Sequence, residues 1–432
     1  MTVLERYHAM TEVALPHGRL VIKAGVRGYP DTPPAGRIFR EVPGDDRRPL
    51  VDASGTAGMV ALAALQERAP VGGTARSPES RPESWPESGR TRGGAPAEES
   101  RTGEGAPVPA GVAIVEQVLV LEPSMAALRC ARVTLSGSGR QATAGLPWDL
   151  PPGLTSRLAL APPGDRGNAR VIAEINAAAQ ALAPDGVLYI ALHKDQGAKR
   201  YQKVVERLFR STAVSARERG WRLVEAREPV GRPGQDEEMP SPADAQSSAG
   251  ASSPWRRFEA GGLKLEALAG VHSAGRLDPG TEVMLGQVPW GKLTGRRVLD
   301  LGCGSGIIGL LAARAGARVV AVDDDLAAVA SARRNCERLG LEMDIRHSDV
   351  DSAIAGERFD VVLSNPPFHV GKGVRLMVPE AFIEAARALL VARGELWLVA
   401  NRDLPYERFM GAWAGVERCA DQSGFKVLRA QR

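Results

Sequence analysis

The sequence predicts an α/β protein in which one doubly wound, mostly parallel fold occurs twice along the chain. Residues 296–325, RRVLDLGCGSGIIGLLAARAGARVVAVDDD, have the pattern of a strand, a glycine-rich turn, a helix and a second strand, which begins a βαβ unit. Five blocks of the second half have counterparts in the first half, in the same order. The 432 residues, 44% hydrophobic and 25% charged, suffice for two or three globular domains.

An insertion interrupts the first half, and a linker separates it from the second. Residues 72–110 contain SPESRPESWPES, and residues 232–254 are rich in Pro, Ala and Ser. Neither segment has the apolar residues that offset the entropy of ordering. The insertion separates a predicted helix at 56–69 from a predicted strand at 112–121. We therefore expect a first domain at 1–235, a linker at 236–254 and a second domain at 255–432.

Composition excludes several classes of protein. The four cysteines are scattered and the six histidines dispersed, so we expect reduced thiols, no disulfide framework and no metal site. No apolar run reaches the roughly 20 residues of a membrane helix, and the first residues lack the apolar core of a secretion signal. We therefore expect a cytoplasmic protein with no membrane partner. The net charge of +4 permits a nucleic-acid partner without requiring one.

The two halves align around acidic residues and a proline pair. VDASGTAGMVAL parallels LDLGCGSGIIGL, VLVLEPSMAALRCA parallels VVAVDDDLAAVASA, and LALAPPGDRG parallels VVLSNPPFHVG. The equated residues are Asp52 with Asp300, Glu122 with Asp323, and Pro162 and Pro163 with Pro366 and Pro367. One fold used twice explains the order of the blocks, and a chance likeness of two generic α/β patterns is the alternative.

The copies differ at the positions where chemistry is expected. Opposite Gly302, Gly304, Asn365 and Phe368 of the second half, the first half has Ser54, Thr56, Ala161 and Gly164. We therefore predict that the first half is degenerate, with the scaffold kept and the site lost, and that catalysis belongs to the second half.

The glycine-rich turn could bind either of two cofactors. Gly304, Gly306 and Gly309 spell the G-x-G-x-x-G of dinucleotide sites, which alone is weak evidence. Asp300, at the end of the preceding strand, would repel a pyrophosphate but attract the sulfonium and ammonium groups of S-adenosylmethionine. The turn therefore favours S-adenosylmethionine over NAD.

Two further acidic residues follow the next strands. Asp323 ends the strand ARVVAVD, where either cofactor needs an acceptor for its ribose hydroxyls. Asp349 follows a third strand and suits an adenine amino group, although a solvated loop carboxylate is an equally good interpretation. These acids do not discriminate between the cofactors.

The segment FDVVLSNPPFHVG, residues 359–371, indicates the acceptor group. Asn365 Oδ1 and the Pro366 carbonyl can accept both hydrogens of an exocyclic amine, because the prolines leave neighbouring carbonyls unpaired. Acceptors placed where the nitrogen becomes tetrahedral stabilise the transition state preferentially. Phe368 can stack on a base.

The sequence resembles the class I S-adenosylmethionine-dependent methyltransferases, and more narrowly the two-domain bacterial rRNA guanine-N2 methyltransferases. The segments that carry this resemblance are GRLDPGTEVML, LDLGCGSG, SNPPFHVG and ELWLVANRDLPYE. The resemblance covers nearly the whole chain except the insertion and the linker. It implies two tandem Rossmann-like domains with seven-stranded sheets, of which the first lacks cofactor motifs. It also implies methyl transfer to a guanine of rRNA, in 16S rather than 23S rRNA.

The resemblance also implies the site residues and partners. The cofactor would contact Asp300, Gly302, Cys303, Gly304, Gly306, Asp323, Asp324, Asp349, Val350 and Asn365, and residues 273–281 would cover it. The target amine would lie against Asn365, Pro366, Pro367 and Phe368. The implied partner is ribosomal RNA or the small ribosomal subunit, and we expect a monomer. His272 departs from the family pattern, which has Phe there, and this departure concerns the packing of the covering segment.

A basic segment of the first half is a candidate RNA contact. HKDQGAKRYQKVVERLFR carries Lys194, Lys199, Arg200, Lys203, Arg207 and Arg210 at a strand end and on the following helix. They could contact phosphates, or they could form an ordinary solvated helix face. His369 could accept the proton of the alkylated amine, although a role in packing or substrate contact is the preferred interpretation.

Three other functions stay open at this stage. The same amine clamp could serve a 23S rRNA guanine, a DNA adenine or a protein glutamine. A non-catalytic RNA-binding assembly factor and an NAD oxidoreductase are the remaining alternatives. The complete NPPF motif disfavours a protein that only binds RNA.

Overall fold

The structure is a computed structural model, and it describes ten segments of the chain. These are residues 2–15, 18–23, 50–53, 118–137, 141–230, 254–272, 275–367, 369–370, 373–374 and 376–432. The insertion at 72–110, the predicted helix at 56–69, Ser54, Thr56 and Phe368 lie outside the described residues. Most of the linker lies outside them too, so the domain limits stay predictions.

The first half forms a helix, a hairpin and a seven-stranded sheet with its helices. Its elements are α1 (Val3–His8), β1 (Met10–Leu15), β2 (Gly18–Lys23), β3 (Leu50–Ala53), β4 (Val118–Glu122), α2 (Met125–Thr134), β5 (Gln141–Ala144), β6 (Thr155–Leu160), α3 (Asn168–Ala181), β7 (Leu182–His193), α4 (Ala198–Leu208), β8 (Phe209–Glu218) and β9 (Trp221–Pro229). In the described part of the predicted strand at 112–121, β4 begins at Val118.

The second half also forms a hairpin and a seven-stranded sheet with its helices. Its elements are β10 (Trp255–Ala260), β11 (Leu263–Leu268), α5 (Pro279–Leu285), β12 (Arg297–Leu301), α6 (Ile307–Arg314), β13 (Arg318–Asp323), α7 (Leu326–Arg338), β14 (Met343–His347), β15 (Phe359–Ser364), β16 (His369–Val370), β17 (Gly373–Val374), α8 (Met377–Leu389), β18 (Leu390–Asn401), β19 (Ala414–Gln422) and β20 (Phe425–Gln431).

The two large sheets have the same topology. Their strand orders are β5-β4-β3-β6-β7-β9-β8 and β14-β13-β12-β15-β18-β20-β19. In each sheet the first five strands are parallel, and β9 or β20 runs antiparallel to both of its neighbours. The predicted fold class, two tandem doubly wound domains, is therefore confirmed.

The strand registers agree with the sequence alignment of the two halves. Asp52 lies opposite Val120 and Ala159 on the neighbouring strands. Asp300 lies opposite Ala321 and Leu363, which are the counterparts of those two residues. A chance likeness of two α/β patterns would not reproduce the register on both sides of one strand.

A hairpin that the sequence analysis did not predict precedes each sheet. β1 pairs with β2 in the first half, and β10 pairs with β11 in the second. The β10–β11 hairpin is fixed to α7 by hydrogen bonds from the Glu266 N–H to Asn335 Oδ1 (2.8 Å) and from the Leu268 N–H to Ser331 Oγ (3.0 Å). These short strands lie outside the five aligned blocks.

Apolar side chains fill both faces of each sheet. In the second half one cluster includes Leu299, Phe359 and Leu396, and another includes Leu310, Val361 and Val427. Burial of this kind contributes roughly 25 cal/mol per Å² of apolar surface, which is the main favourable term in folding. Within the described part of the chain, no helix combines the length and the apolar character needed to cross a lipid bilayer.

The two halves meet through a contact with local twofold symmetry. The Met125 N–H donates to the Asp324 carbonyl (3.0 Å), and the Leu326 N–H donates to the Pro123 carbonyl (2.8 Å). Ser124 forms an antiparallel bridge with Asp325, its counterpart in the second half. Each half therefore presents the same turn, after its second strand, to the other half.

Candidate active site

The candidate site lies at the carboxyl edge of the second sheet. Asp300 is near the end of β12, Asp323 ends β13, and Asn365 follows β15. Parallel strands bring their carboxyl ends to one edge, which is where open α/β sheets bind ligands. The fold therefore brings the predicted residues of these strands together.

The glycine-rich turn connects β12 to α6. The N–H groups of Gly302 and Cys303 donate to the Val322 carbonyl (2.9 and 3.0 Å), which fixes the turn against β13. Gly304 has a φ of +56°, and, its chain neighbours aside, no atom of the described residues lies within 4 Å of the position that a Cβ would take. Gly306 is the N-cap residue of α6. The turn thus leaves open backbone at Gly304, which a ligand can approach closely.

Asp300 is completely buried beneath this turn. Its Oδ2 accepts a hydrogen bond from the Gly309 N–H (2.8 Å) in the first turn of α6. Its Oδ1 is buried and has no hydrogen-bond partner among the described residues. Burial raises the pKa of this carboxyl to about 7. Since an unpaired buried oxygen costs free energy, a cationic or N–H-bearing ligand would relieve this cost.

The two acids after β13 have different partners. Asp323 accepts from the Gly304 N–H through Oδ2 and from the Asp325 N–H through Oδ1, both at 2.9 Å. Burial raises its pKa. Asp324 Oδ1 accepts from the Ala126 N–H (2.8 Å), in the first turn of α2. Asp323 therefore belongs to the glycine-rich turn, whereas Asp324 connects the two halves.

Asp349 lies two residues after β14 and is held by the first half. Its Oδ2 accepts hydrogen bonds from Lys23 Nζ and Arg129 Nη1, both at 2.7 Å. His8 Nδ1 lies 3.5 Å from the same oxygen. Burial opposes ionisation, but the His8 hydrogen bond and the Lys23 charge outweigh it and lower the pKa of Asp349 to about 2. Its Oδ1 is buried without a partner among the described residues.

Val350, the next residue, has an unusual backbone conformation. Its φ is +52°, which is costly for a β-branched side chain. Such strain is maintained where the surrounding structure fixes the chain, often at binding sites. The strained backbone lies at the predicted cofactor contact of residues 349–350, which stays a prediction.

Asn365 is held by two acceptors from the start of α5. Its Nδ2 donates to Asp278 Oδ2 and to Thr281 Oγ1, both at 2.9 Å. Asp278 is the N-cap residue of α5 and accepts from the Thr281 N–H (2.7 Å). Burial opposes ionisation of Asp278, but hydrogen bonds from His272 and Thr281 lower its pKa to about 2.

The rest of the proline motif is described in part. Pro366 is buried and Pro367 is exposed. Phe368 and the side chain of His369 lie outside the description, so their predicted contacts with a base stay predictions. His272, the departure from the family pattern, places Nε2 3.0 Å from Asp278 Oδ1.

The basic segment of the first half faces solvent. Tyr201 and Val205 of α4 are buried against the sheet. The opposite face and the flanking residues carry exposed basic side chains, namely Lys194, Lys199, Arg200, Lys203, Arg207 and Arg210. We call this set the basic face. In the portion of the chain that the structure describes, none of its members forms an ion pair.

The sequence analysis did not predict several contacts of the site. Lys23, Arg129 and His8 of the first half lie against Asp349. Asp278 and Thr281, which belong to the predicted covering segment at 273–281, bind Asn365. One signal was available, because Asp-Pro before a helix is typical of an N-cap residue. Nothing local distinguishes Lys23 from any lysine at the end of a strand.

We predict that Lys23→Met destabilises the protein by about 3–5 kcal/mol, because it leaves a buried carboxylate with fewer cations. Lys23 and Asp349 are both fully buried. The double variant Lys23→Met with Asp349→Asn should recover much of the loss in urea unfolding at pH 7. If the losses of stability in the two single variants add up in the double variant, a direct interaction between Lys23 and Asp349 is contradicted.

Comparison with known protein families gives a match in the second half of the chain. A family model described as Methyltransferase small domain matches residues 262–429. Ribosomal RNA small subunit methyltransferase C of Chromohalobacter salexigens is 42% identical over 179 residues, 41% of this chain and 54% of that protein. The protein of the same name from Hahella chejuensis is 40% identical over 186 residues, which are again 41% of this chain and 54% of that protein. The chain spans about half the length of these curated relatives.

A solved structure matches both halves. It is the T. thermophilus 16S rRNA N2 G1207 methyltransferase (RsmC) in complex with AdoMet and guanosine. The TM-score is 0.77 and the identity 32%, and the match covers 99% of each chain. Together with the duplicated sheet and the glycine-rich turn, this match shows that the chain belongs to the small-subunit rRNA methyltransferase C family of S-adenosylmethionine-dependent enzymes.

Proposed function

We propose that the protein transfers a methyl group from S-adenosylmethionine to the exocyclic N2 amine of a guanine in 16S rRNA. The observation that carries this proposal is the orientation of Asn365. Its NH₂ group is bound by Asp278 and Thr281, so its carbonyl oxygen is available to an incoming amine. The residue lies at the carboxyl edge that carries the glycine-rich turn.

The residues present fit the methyl donor. Gly304 offers open backbone, and Asp300 and Asp349 each have one buried oxygen without a partner among the described residues. We propose that Asp300 and the turn at 302–306 serve the methionine end, Asp323 the ribose, and Asp349 with the Val350 backbone the adenine. Asp324 is a weaker candidate for a cofactor contact, because its Oδ1 already accepts a hydrogen bond from the Ala126 N–H of the first half.

The donor supplies a sulfonium-bound methyl group, which is inherently electrophilic. The protein must therefore position the guanine amine and compensate its poor nucleophilicity, which arises because the nitrogen lone pair is delocalised into the ring. Asn365 Oδ1 and the Pro366 carbonyl would accept its two hydrogens and favour the tetrahedral nitrogen of the transition state. The C–S bond breaks as the C–N bond forms, and the nitrogen then loses a proton to solvent. Positioning dominates such a reaction.

We propose that the first half binds the RNA. The basic face is exposed and unpaired within the described residues, so phosphates could neutralise it at little cost. The finer proposals are the small ribosomal subunit as partner, a cytoplasmic location, a monomer, and a reaction that uses no metal.

Asn365→Ala tests the catalytic role. We expect methyl transfer to 16S rRNA to fall by at least about a hundredfold, because an acceptor for the reacting amine is lost. Because Asn365 is also a predicted cofactor contact, the affinity for S-adenosylmethionine is measured by calorimetry, and we expect it to fall much less than turnover. Asn176→Ala, on α3 of the first half, is the control. Turnover near that of the unmodified enzyme would refute the amine clamp.

Asp300→Asn tests the methionine end of the site. The pKa of Asp300 rises from 3.8 to about 7 on folding, so this residue destabilises the protein increasingly as pH rises from about 4 to 7. We expect the variant to gain stability relative to wild type over this window, by about 4 kcal/mol at most. It should bind S-adenosylmethionine more weakly.

Thermal unfolding at pH 5 and pH 8, with and without the donor, measures both effects. Asp403→Asn, at an exposed position, is the control. A variant that binds the donor as tightly as wild type would remove Asp300 from the site.

Charge reversal tests the basic face. We expect Lys199→Glu with Lys203→Glu to weaken binding to 16S rRNA at least tenfold at low salt and to reduce the salt dependence. Lys264→Glu with Lys292→Glu makes the same charge change at exposed positions of the second half and should have little effect. Equal losses in the two pairs would indicate a nonspecific effect of net charge.

A further inference from the structure

The side-chain amide of Asn365 can adopt only one of its two orientations. Asp278 is ionised and offers acceptors alone. Thr281 Oγ1 lies 3.2 Å from Asp278 Oδ2 and donates to it, so its lone pairs face Asn365. A flipped amide would place its oxygen against a carboxylate and a hydroxyl lone pair. Both N–H groups of Asn365 are therefore consumed, and Oδ1 is its remaining polar atom.

The carboxylate also changes the amide electronically. An amide that donates to a negative charge is polarised, and its oxygen becomes a stronger acceptor. The guanine amine gains positive charge as it is alkylated. A more negative Oδ1 therefore stabilises the transition state more than the bound substrate.

Close packing fixes the acceptors themselves. A Cβ on Gly280 would lie 2.7 Å from the ring of Phe425 and 2.9 Å from Val399, so only glycine lets the start of α5 approach the sheet this closely. Thr281 is 5% exposed. Asp278 and Thr281 thus share a rigid helix start with few alternative conformations.

We propose that Asp278 and Thr281 are positioning residues that orient and polarise Asn365 for the amine. This inference rests on the proposed function and adds two residues to its machinery. Neither residue needs to touch the guanine. Substitution of Asp278 or Thr281 should change kcat, and only because the hydrogen bonds to Asn365 change.

Three variants test the inference. Asp278→Asn keeps a side chain suited to the N-cap position but loses the charge that polarises the amide. Thr281→Val removes the hydroxyl at nearly constant shape, and Thr281→Ser restores it. We expect Asp278→Asn and Thr281→Val to lower kcat at least tenfold. The kcat values are measured at saturating S-adenosylmethionine, so that any weaker cofactor binding through the covering segment at 273–281 does not lower them, and Thr281→Ser should recover most of the rate.

Combination with Asn365→Ala separates positioning from a general structural role. In single-turnover reactions, Asp278→Asn should have no further effect once Asn365 is alanine. An undiminished effect in that background would overturn the inference. If Asn365→Ala is too slow for its rate to be measured, Thr281→Val and Thr281→Ser decide the question. Equal rates for these two variants would also overturn the inference.

The wild-type reaction separates this inference from the proposed function. If wild type does not methylate 16S rRNA at a guanine N2, the proposed function fails. If wild type is active and the three variants match its kcat, only the positioning role fails.

Discussion

A buried carboxylate in the second half depends on cations from the first. Asp349 is fully buried, and its charge is balanced by Lys23 and Arg129 across the junction. Removing such cations leaves an unpaired charge in a low-dielectric interior, which is among the most destabilising changes available. The first half, which we predict to have lost its own site, can therefore still hold a buried carboxylate of the second half. This dependence is a physical reason for the first half to remain, in addition to the RNA binding that we propose.

Residues carried by local motifs were predictable from the sequence. The strand, turn and helix around Asp300 follow from local spacing, and the duplication of one doubly wound fold follows from the repeat. The partners of the motif residues were not predictable. Asn365 and Asp278 are 87 positions apart, and Asp349 and Lys23 are 326 apart. Such pairs are set by how helices and hairpins pack on the sheet. In a single sequence, the residues that make these contacts look like ordinary polar residues at the ends of helices and strands.

Two carboxylates at the carboxyl edge would suit the cationic donor that we propose. Burial raises the pKa of Asp300 and Asp323, whereas the charge of Asp349 is balanced by Lys23 and Arg129. Unpaired buried oxygens are costly in the free protein, and a ligand with matching donors would remove the cost. The proposed site therefore gives up some stability for affinity, which is common at functional sites.

The junction at Ser124 and Asp325 also bears on how the chain arose. Identical surfaces that meet about a twofold axis are the form of contact found in homodimers. A single-copy ancestor pairing with itself through this turn would have had the same interface before its gene was duplicated and fused. Fusion relaxes the requirement that both copies stay alike, because one chain now contains both sides of the contact. The two turns could then diverge in sequence, to Glu-Pro-Ser-Met in one and Asp-Asp-Asp-Leu in the other, while their main-chain hydrogen bonds stayed the same.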